Sequence, residues 1–225
     1  MNRTKIEWTD FTWNPVVGCD HGCWYCYADK ITKRFPKRFP NGFRPTFHPE
    51  RLQEPWEYQK PSKIFACSVS DLFAPWTLPE WRFAVLRSIN ECPVPHTFQL
   101  LTKNPERIWD TCYHVHPVNS KVWIGTTVTN EHDDWRNIEA IKRINTDVLF
   151  ASFEPLLGPL PAGVSLHALD WIIIGKLTGS RKVKLDIHWV WDILARAEQL
   201  DIPVFVKNNL LKEFPLLSKT QEFPS

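Results

Sequence analysis

Short apolar runs recur along the chain and stop abruptly at polar residues. They fall at Lys63–Val69, Thr97–Thr102, Val122–Val128, Val148–Phe153, Trp171–Gly175 and Pro203–Val206. Each is nearly continuous in hydrophobic character and rich in β-branched or aromatic residues, the pattern of parallel strands covered on both faces. Their starts are spaced like βα units. A further strand is predicted near Trp8–Asn14. Helical periodicity fills the gaps. Pro79–Asn90 follows Thr77 as a candidate cap, and Glu131–Ile144 carries Ile138, Ile141 and Ile144. Asp186–Gln199 places Ile187, Val190, Trp191, Leu194 and Ala197 on one stripe, and Pro105–Trp109 suits a brief helix. The sum is a parallel α/β array, either a partial or complete (β/α) barrel or a doubly wound sheet.

In barrels the working residues gather at the C-terminal ends of strands. Here those ends read Ser68-Val69-Ser70-Asp71, Thr102-Lys103-Asn104, Thr127-Val128-Thr129-Asn130-Glu131, Ser152-Phe153-Glu154-Pro155, Gly175-Lys176-Leu177-Thr178 and Lys207-Asn208-Asn209. Any one of these is ordinary turn chemistry. Their repetition at the same end of successive strands points to a functional rim.

The strongest chemical signal precedes them. Cys19, Cys23 and Cys26 form a C-x3-C-x2-C run with Tyr25 just before the last thiol. Cubane iron–sulfur clusters normally take four cysteines, so three from one loop leave one iron open. Zinc is the alternative, with His21 or a remote cysteine completing a tetrahedron, although zinc sites usually pair two C-x2-4-C units. A thiol redox enzyme built on Cys23 and Cys26 would leave Cys19 unexplained. Cys67, Cys92 and Cys112 are scattered singly and suggest no second cluster.

The cysteine spacing resembles that of the radical S-adenosylmethionine (SAM) enzymes. The phrases Lys5-Ile6-Glu7-Trp8-Thr9-Asp10, Thr12-Trp13-Asn14-Pro15, Cys26-Tyr27-Ala28, Ser70-Asp71-Leu72-Phe73, Phe98–Lys103, Phe153–Gly158 and Leu169–Ile173 are similar to those of an uncharacterised family of that type. Its members occur in phages, bacteria and archaea. The resemblance runs from about residue 3 to 210. It implies one domain over 1–225 with a partial six-unit barrel and a basic, proline-rich insertion at about 30–62. It also implies a [4Fe–4S] cluster on Cys19, Cys23 and Cys26. SAM would dock at the open iron and be reductively cleaved to a 5′-deoxyadenosyl radical, with electrons from an external flavodoxin- or ferredoxin-like donor.

By the same resemblance Tyr25 contacts the adenine region, and Ser68, Ser70 and Asp71 meet the SAM amino group. Thr127, Thr129, Asn130 and Glu131 serve the ribose. Glu154, Lys103 and Lys207 are the catalytic candidates on the rim. Competing readings are that Tyr25 is loop packing, that Asp71, Asn130 or Glu131 caps a following turn or helix, and that Glu154 forms an ion pair with Lys103 or Lys207. The chain departs from the family at Gly175-Lys176-Leu177-Thr178-Gly179, where a Gly-Gly-Glu-Ser-Gly-like segment is expected. Any role of that glutamate is missing here.

Composition adds two things. At 225 residues, 43% hydrophobic, the chain has ample material for a core, and its net charge of +2 argues for no polyanion partner globally. Locally the balance is different. Lys30 to Arg51 holds seven cations against Glu50 alone, around the tandem Lys33-Arg34-Phe35-Pro36 and Lys37-Arg38-Phe39-Pro40. Cations interleaved with aromatics suit phosphate contact and base stacking, so RNA or DNA is the leading substrate class. A peptide or a small molecule is the competing substrate, and a solvated insertion is the bland reading. The proline density predicts an extended loop. The start leads into Glu7 and Asp10 rather than an apolar stretch, so no secretory leader is expected. No membrane span is expected, and unpaired cysteines point to a reducing cytoplasm. A metal-stapled nucleic-acid-binding module without SAM turnover remains the alternative to the enzyme.

Overall fold

The computed structural model describes residues 1–37, 39–108, 120–130, 134–178, 183–217 and 220–224. The chain divides into two compact units, Met1–Val122 and Trp123–Ser225.

In the first unit, β1 (Asn2–Arg3) runs antiparallel to β2 (Phe11–Trp13), which is parallel to β5 (Lys63–Ala66), in turn parallel to β6 (Thr97–Thr102). A separate hairpin pairs β3 (Val16–Val17) with β4 (Thr46–Phe47). Helix α1 spans Tyr27–Arg34, α2 Glu54–Glu57 and α3 Pro79–Asn90. β6 matches its predicted bounds, because its apolar run reflects burial on both faces. β5 stops three residues short of its apolar run. Cys67 takes a left-handed backbone, φ 58°, and turns the chain out of the sheet.

The strand predicted at Trp8–Asn14 shrinks to Phe11–Trp13. Trp13 is fully buried, packed 5.8 Å from the Phe98 ring, and its indole donates to the Arg51 carbonyl at 2.7 Å. α3 is capped differently from expectation. Its N-cap is Leu78, and the Thr77 hydroxyl donates instead to the Asp71 carbonyl at 2.9 Å. The expected extended loop at 30–62 is interrupted by short regular elements, and the described residues between α1 and β4 form no helix or strand. It contains the end of α1, β4, a 3-10 turn at Pro49–Arg51 and α2.

In the second unit, β7 (Lys121–Thr127), which begins at the unit boundary, and β8 (Val148–Phe153), β9 (Trp171–Ile174) and β10 (Val204–Val206) are parallel neighbours in chain order. Every residue of β8, β9 and β10 is buried. Helix α4 covers Arg136–Ile141, α5 Ile187–Glu198 and α6 Asn208–Leu211. The helix predicted from Glu131 thus starts later, at Arg136, and residues 131–133 lie outside the described residues. Asp186 caps α5 as its position suggests, accepting from the His188 N–H at 2.9 Å. The buried stripe of α5 is Val190, Ile193 and Ala197, whereas Trp191 faces solvent. The predicted Pro105–Trp109 helix is a 3-10 turn over Pro105–Arg107, and Trp109 lies outside the described residues.

Within each unit the parallel strands are neighbours in sequence order, with no reversal. A doubly wound sheet requires a reversal at its switch point. The architecture is α/β with mostly parallel strands. Among the described residues, no helix is long and apolar enough to cross a membrane.

Candidate functional site

The cysteine loop leaves β3 through Gly18, whose φ is +93°. A Cβ there would stand 2.3 Å from the Arg44 carbonyl oxygen, so only glycine allows the loop to lie this close to the 43–44 backbone. Hydrogen bonds pin it there, from Gly18 N–H to the Val69 carbonyl at 3.1 Å and from Cys19 N–H to the Phe43 carbonyl at 3.0 Å. Gly22, at φ +65°, supplies a second left-handed turn. A tight turn then closes as the Cys26 N–H meets the Cys23 carbonyl at 3.0 Å. Cys26 ends the loop as the N-cap of α1, its sulfur accepting from the Asp29 N–H at 3.4 Å.

All three loop cysteines are half-buried free thiols. Burial pushes the Cys19 thiol up to about 12. The His21 N–H opposes this, and the charges of Asp71, Cys23 and Cys26 add to it. Burial also raises Cys26, against the N–H groups of Asp29 and Ala28. The thiols therefore sense one another's charge. Among the described residues, however, no group of three or more His, Cys, Asp or Glu side chains is drawn together tightly enough to hold a metal ion.

Beneath the loop lies a buried carboxylate. Asp71, 4% exposed, accepts from five donors. The Phe73 N–H (3.0 Å) and the Thr102 hydroxyl (2.6 Å) reach Oδ1; His21 Nε2 (3.0 Å), the Lys103 N–H (2.9 Å) and Asn104 Nδ2 (3.0 Å) reach Oδ2. Burial alone would raise its pKa. The bonds from His21, the Lys103 amide and Thr102 outweigh it and hold the carboxyl below the usual aspartate range. One side chain thus ties the loop, through His21 between Cys19 and Cys23, to the C-terminal end of β6. Trp76 stands edge-on to His21 at 4.8 Å.

The other candidates of the first unit lie around this centre. Lys103 Nζ donates to the Tyr25 hydroxyl at 3.0 Å and sits 5.4 Å from the centre of its ring. Ser68 Oγ donates to Asn14 Oδ1 at 3.1 Å, Ser70 Oγ to the Val16 carbonyl at 2.9 Å, and the Tyr27 hydroxyl to the Ser68 carbonyl. The segment after β5 is therefore fastened to both the β2–β3 connection and the start of α1.

In the second unit, Glu154 pairs with Lys207. Gly175 makes room for them, because a Cβ there would lie 3.0 Å from Lys207 Cδ and 3.2 Å from Glu154 Cδ. In the segment that departs from the family pattern, Lys176 pairs with Glu213. The Thr129 N–H and hydroxyl both donate to Asp134 Oδ2 at 2.6 Å, and the Asn130 N–H to Oδ1 at 2.8 Å. Asp134 is thus the residue that holds Thr129 and Asn130. Thr127 is buried at the end of β7, and Glu131 lies outside the described residues.

Sequence reasoning passed over His21, except as a spare zinc ligand, and passed over Asp134 and Asn14. Thr102 and Asn104 were legible only as polar residues at a strand end. Their shared partner, Asp71, lies in the segment after β5, and no spacing rule encodes that.

Three thiols share one loop, one of them at a helix N-terminus where negative charge is favoured. No curated protein and no solved structure matches the chain. A family model does match, over residues 3–211, and the chain accordingly belongs to the family described as protein of unknown function (DUF5131).

Proposed function

We propose that this chain is a radical-SAM-type enzyme that holds a [4Fe–4S] cluster on Cys19, Cys23 and Cys26 and acts on a nucleotide or nucleic acid. The observation that carries the reading is the loop itself. Three thiols within eight residues are anchored at Gly18 and at the Cys26 cap, and each stays partly open to solvent. A bound cluster supplies one-electron reduction of a sulfonium compound and hence a carbon radical.

The chain's own residues bind and orient. The Asp71 network fixes His21, and with it the segment between Cys19 and Cys23. Since five donors already occupy the Asp71 carboxylate, it acts as a positioning residue. Ser68 and Ser70 retain hydroxyl lone pairs for the SAM ammonium. Tyr25, held by Lys103, offers a ring for an adenine. Glu154 and Lys207 form a charge pair at strand ends of the second unit, suited to holding a proton, with Thr127, Thr129, Asn130 and Glu131 as the ribose-binding candidates. A partial six-unit (β/α) barrel, an external flavodoxin- or ferredoxin-like donor and a reducing cytoplasm belong to the same proposal. Chain-order parallel strands in each unit and the free described thiols support the first and last of these.

Anaerobic reconstitution tests it. About four irons per chain are expected, and dithionite with SAM should release 5′-deoxyadenosine. Cys23→Ala should lose both. A colourless, iron-poor protein, or zinc already saturated by side chains, overturns the reading. Iron loading without 5′-deoxyadenosine would leave a metal-stapled binding module in its place.

A further inference from the structure

Helix α1 is inverted relative to an ordinary surface helix. Its buried residues are small, Ala28 and Thr32. Its large apolar residues face solvent, with Tyr27 48%, Ile31 37% and Phe35, at the C-cap, 49% exposed. Their four-residue spacing puts them on one stripe. Trp24, 38% exposed, stands just before the helix, edge-on to Tyr25 at 5.4 Å. Amphipathic helices normally bury such side chains, and a contiguous apolar patch left in water marks an interaction surface.

Charge selects the occupant. Lys30 and Arg34 are exposed between the apolar positions, and Lys37 follows. Arg34 lies 5.5 Å from the centre of the Phe35 ring. The acid of this helix, Asp29, is engaged by Lys33 at 2.7 Å, whereas Lys30 and Lys37 have no acidic partner among the described residues. Cations alternating with solvent-exposed rings match phosphates alternating with unpaired bases. A duplex hides the base faces that such rings need.

Building on the substrate class proposed above, we infer that the exposed stripe of α1 binds single-stranded nucleic acid. Bases stack on Trp24, Tyr27 and Phe35, and Lys30 and Arg34 meet phosphates. Because α1 begins at the Cys26 cap, a strand lying along it reaches the cysteine loop. The basic stretch read from the sequence runs over residues 30–51 around the 33–40 tandem; the inferred surface spans residues 24–35 and overlaps its start.

The full chain is titrated by fluorescence anisotropy into labelled single strands roughly 12 nucleotides long, RNA and DNA, and into the matching duplexes. Single strands should bind at least about tenfold more tightly than duplexes, and the RNA and DNA arms identify which polymer is preferred. Phe35→Ala and Tyr27→Ala should each weaken binding about tenfold, the effect of losing one stacked base, while Tyr27→Phe keeps the ring and the affinity. Lys30→Ala should lower the salt slope by about 0.7. All three positions are at the surface, and unchanged melting temperatures verify folding.

Equal affinity for duplexes, or wild-type affinity in both ring→Ala variants, overturns the inference. So does an absence of oligonucleotide binding accompanied by a self-association or protein contact that Phe35→Ala abolishes. The cluster reading fails separately. Cys23→Ala, metal-free, should still bind the strand, and loss of stacking leaves iron loading intact.

Discussion

Removing the Asp71 side chain with Asp71→Ala strands five donors at once. Two of them belong to residues sealed from water, Phe73 at 1% and Thr102 at 2% exposure. Each hydrogen bond to a charged acceptor contributes about 1.5–3 kcal/mol, and a stranded buried donor costs about 1–3 kcal/mol. His21, Lys103 and Asn104 are only half-buried and regain water, so they are discounted. The total is about 3–5 kcal/mol, the usual cost of breaking a buried charged cluster. For a chain of this length that lowers the melting temperature by roughly 6–20 °C.

Thermal and urea unfolding at neutral pH, followed by circular dichroism, measure it. A pH series adds an independent check. The folded pKa of Asp71 lies below its unfolded value near 3.8. The carboxylate's contribution is therefore complete above that value and is lost as pH falls through the folded pKa. Wild type should lose stability more steeply in acid than Asp71→Asn, which has no proton to bind there. Iron loading should fall with Asp71→Ala, because His21 then no longer holds the segment between Cys19 and Cys23. A variant within about 1 kcal/mol of wild type, or one with a parallel acid limb, would refute the assignment of this carboxylate as the anchor of the loop.

Two further outcomes follow from local geometry. Gly18→Ala forces a Cβ against the Arg44 carbonyl at a φ of +93°, so it should cost roughly 2 kcal/mol or more and reduce iron loading, read by melting temperature and absorbance; unchanged loading and stability would exclude the close approach. Burial pushes the Cys67 thiol from 9.0 up to about 12, so the folded state keeps a proton that the unfolded chain releases, and stability should decline as pH rises from about 9 toward 12. Cys67→Ala should flatten that alkaline limb, which equilibrium unfolding at stepped pH would reveal.

The elements most legible in the sequence were those whose environment is uniform along the chain. β6 and β8 sit at their predicted bounds because nearly every position is buried, including the polar Gln99 and Ser152. α5 was legible from Asp186 and its apolar repeat, but not in detail: Trp191 satisfies the repeat yet faces solvent, and Ile193 is buried instead. Across the basic stretch the expected loop holds between α1 and β4, but Lys30–Arg34 are helical despite the prolines that follow. They begin at Pro36, after α1 has ended at Arg34, so they could not break the helix that carries Lys30, Lys33 and Arg34.

The chain's linear order determined which residues are able to do chemistry: three thiols at fixed spacing, polar groups where apolar runs stop, and cations among aromatics. Local spacing is enough for this, since it depends only on a few successive backbone turns. Tertiary structure alone decided how those groups are used. The donors around Asp71 come from the cysteine loop, from β6 and its end, and from the turn after Asp71 itself. The open face of α1 exists because small residues, rather than its large ones, were taken inward. Both outcomes depend on which distant segments pack together, and pairwise contact between remote residues leaves no periodic trace in the chain.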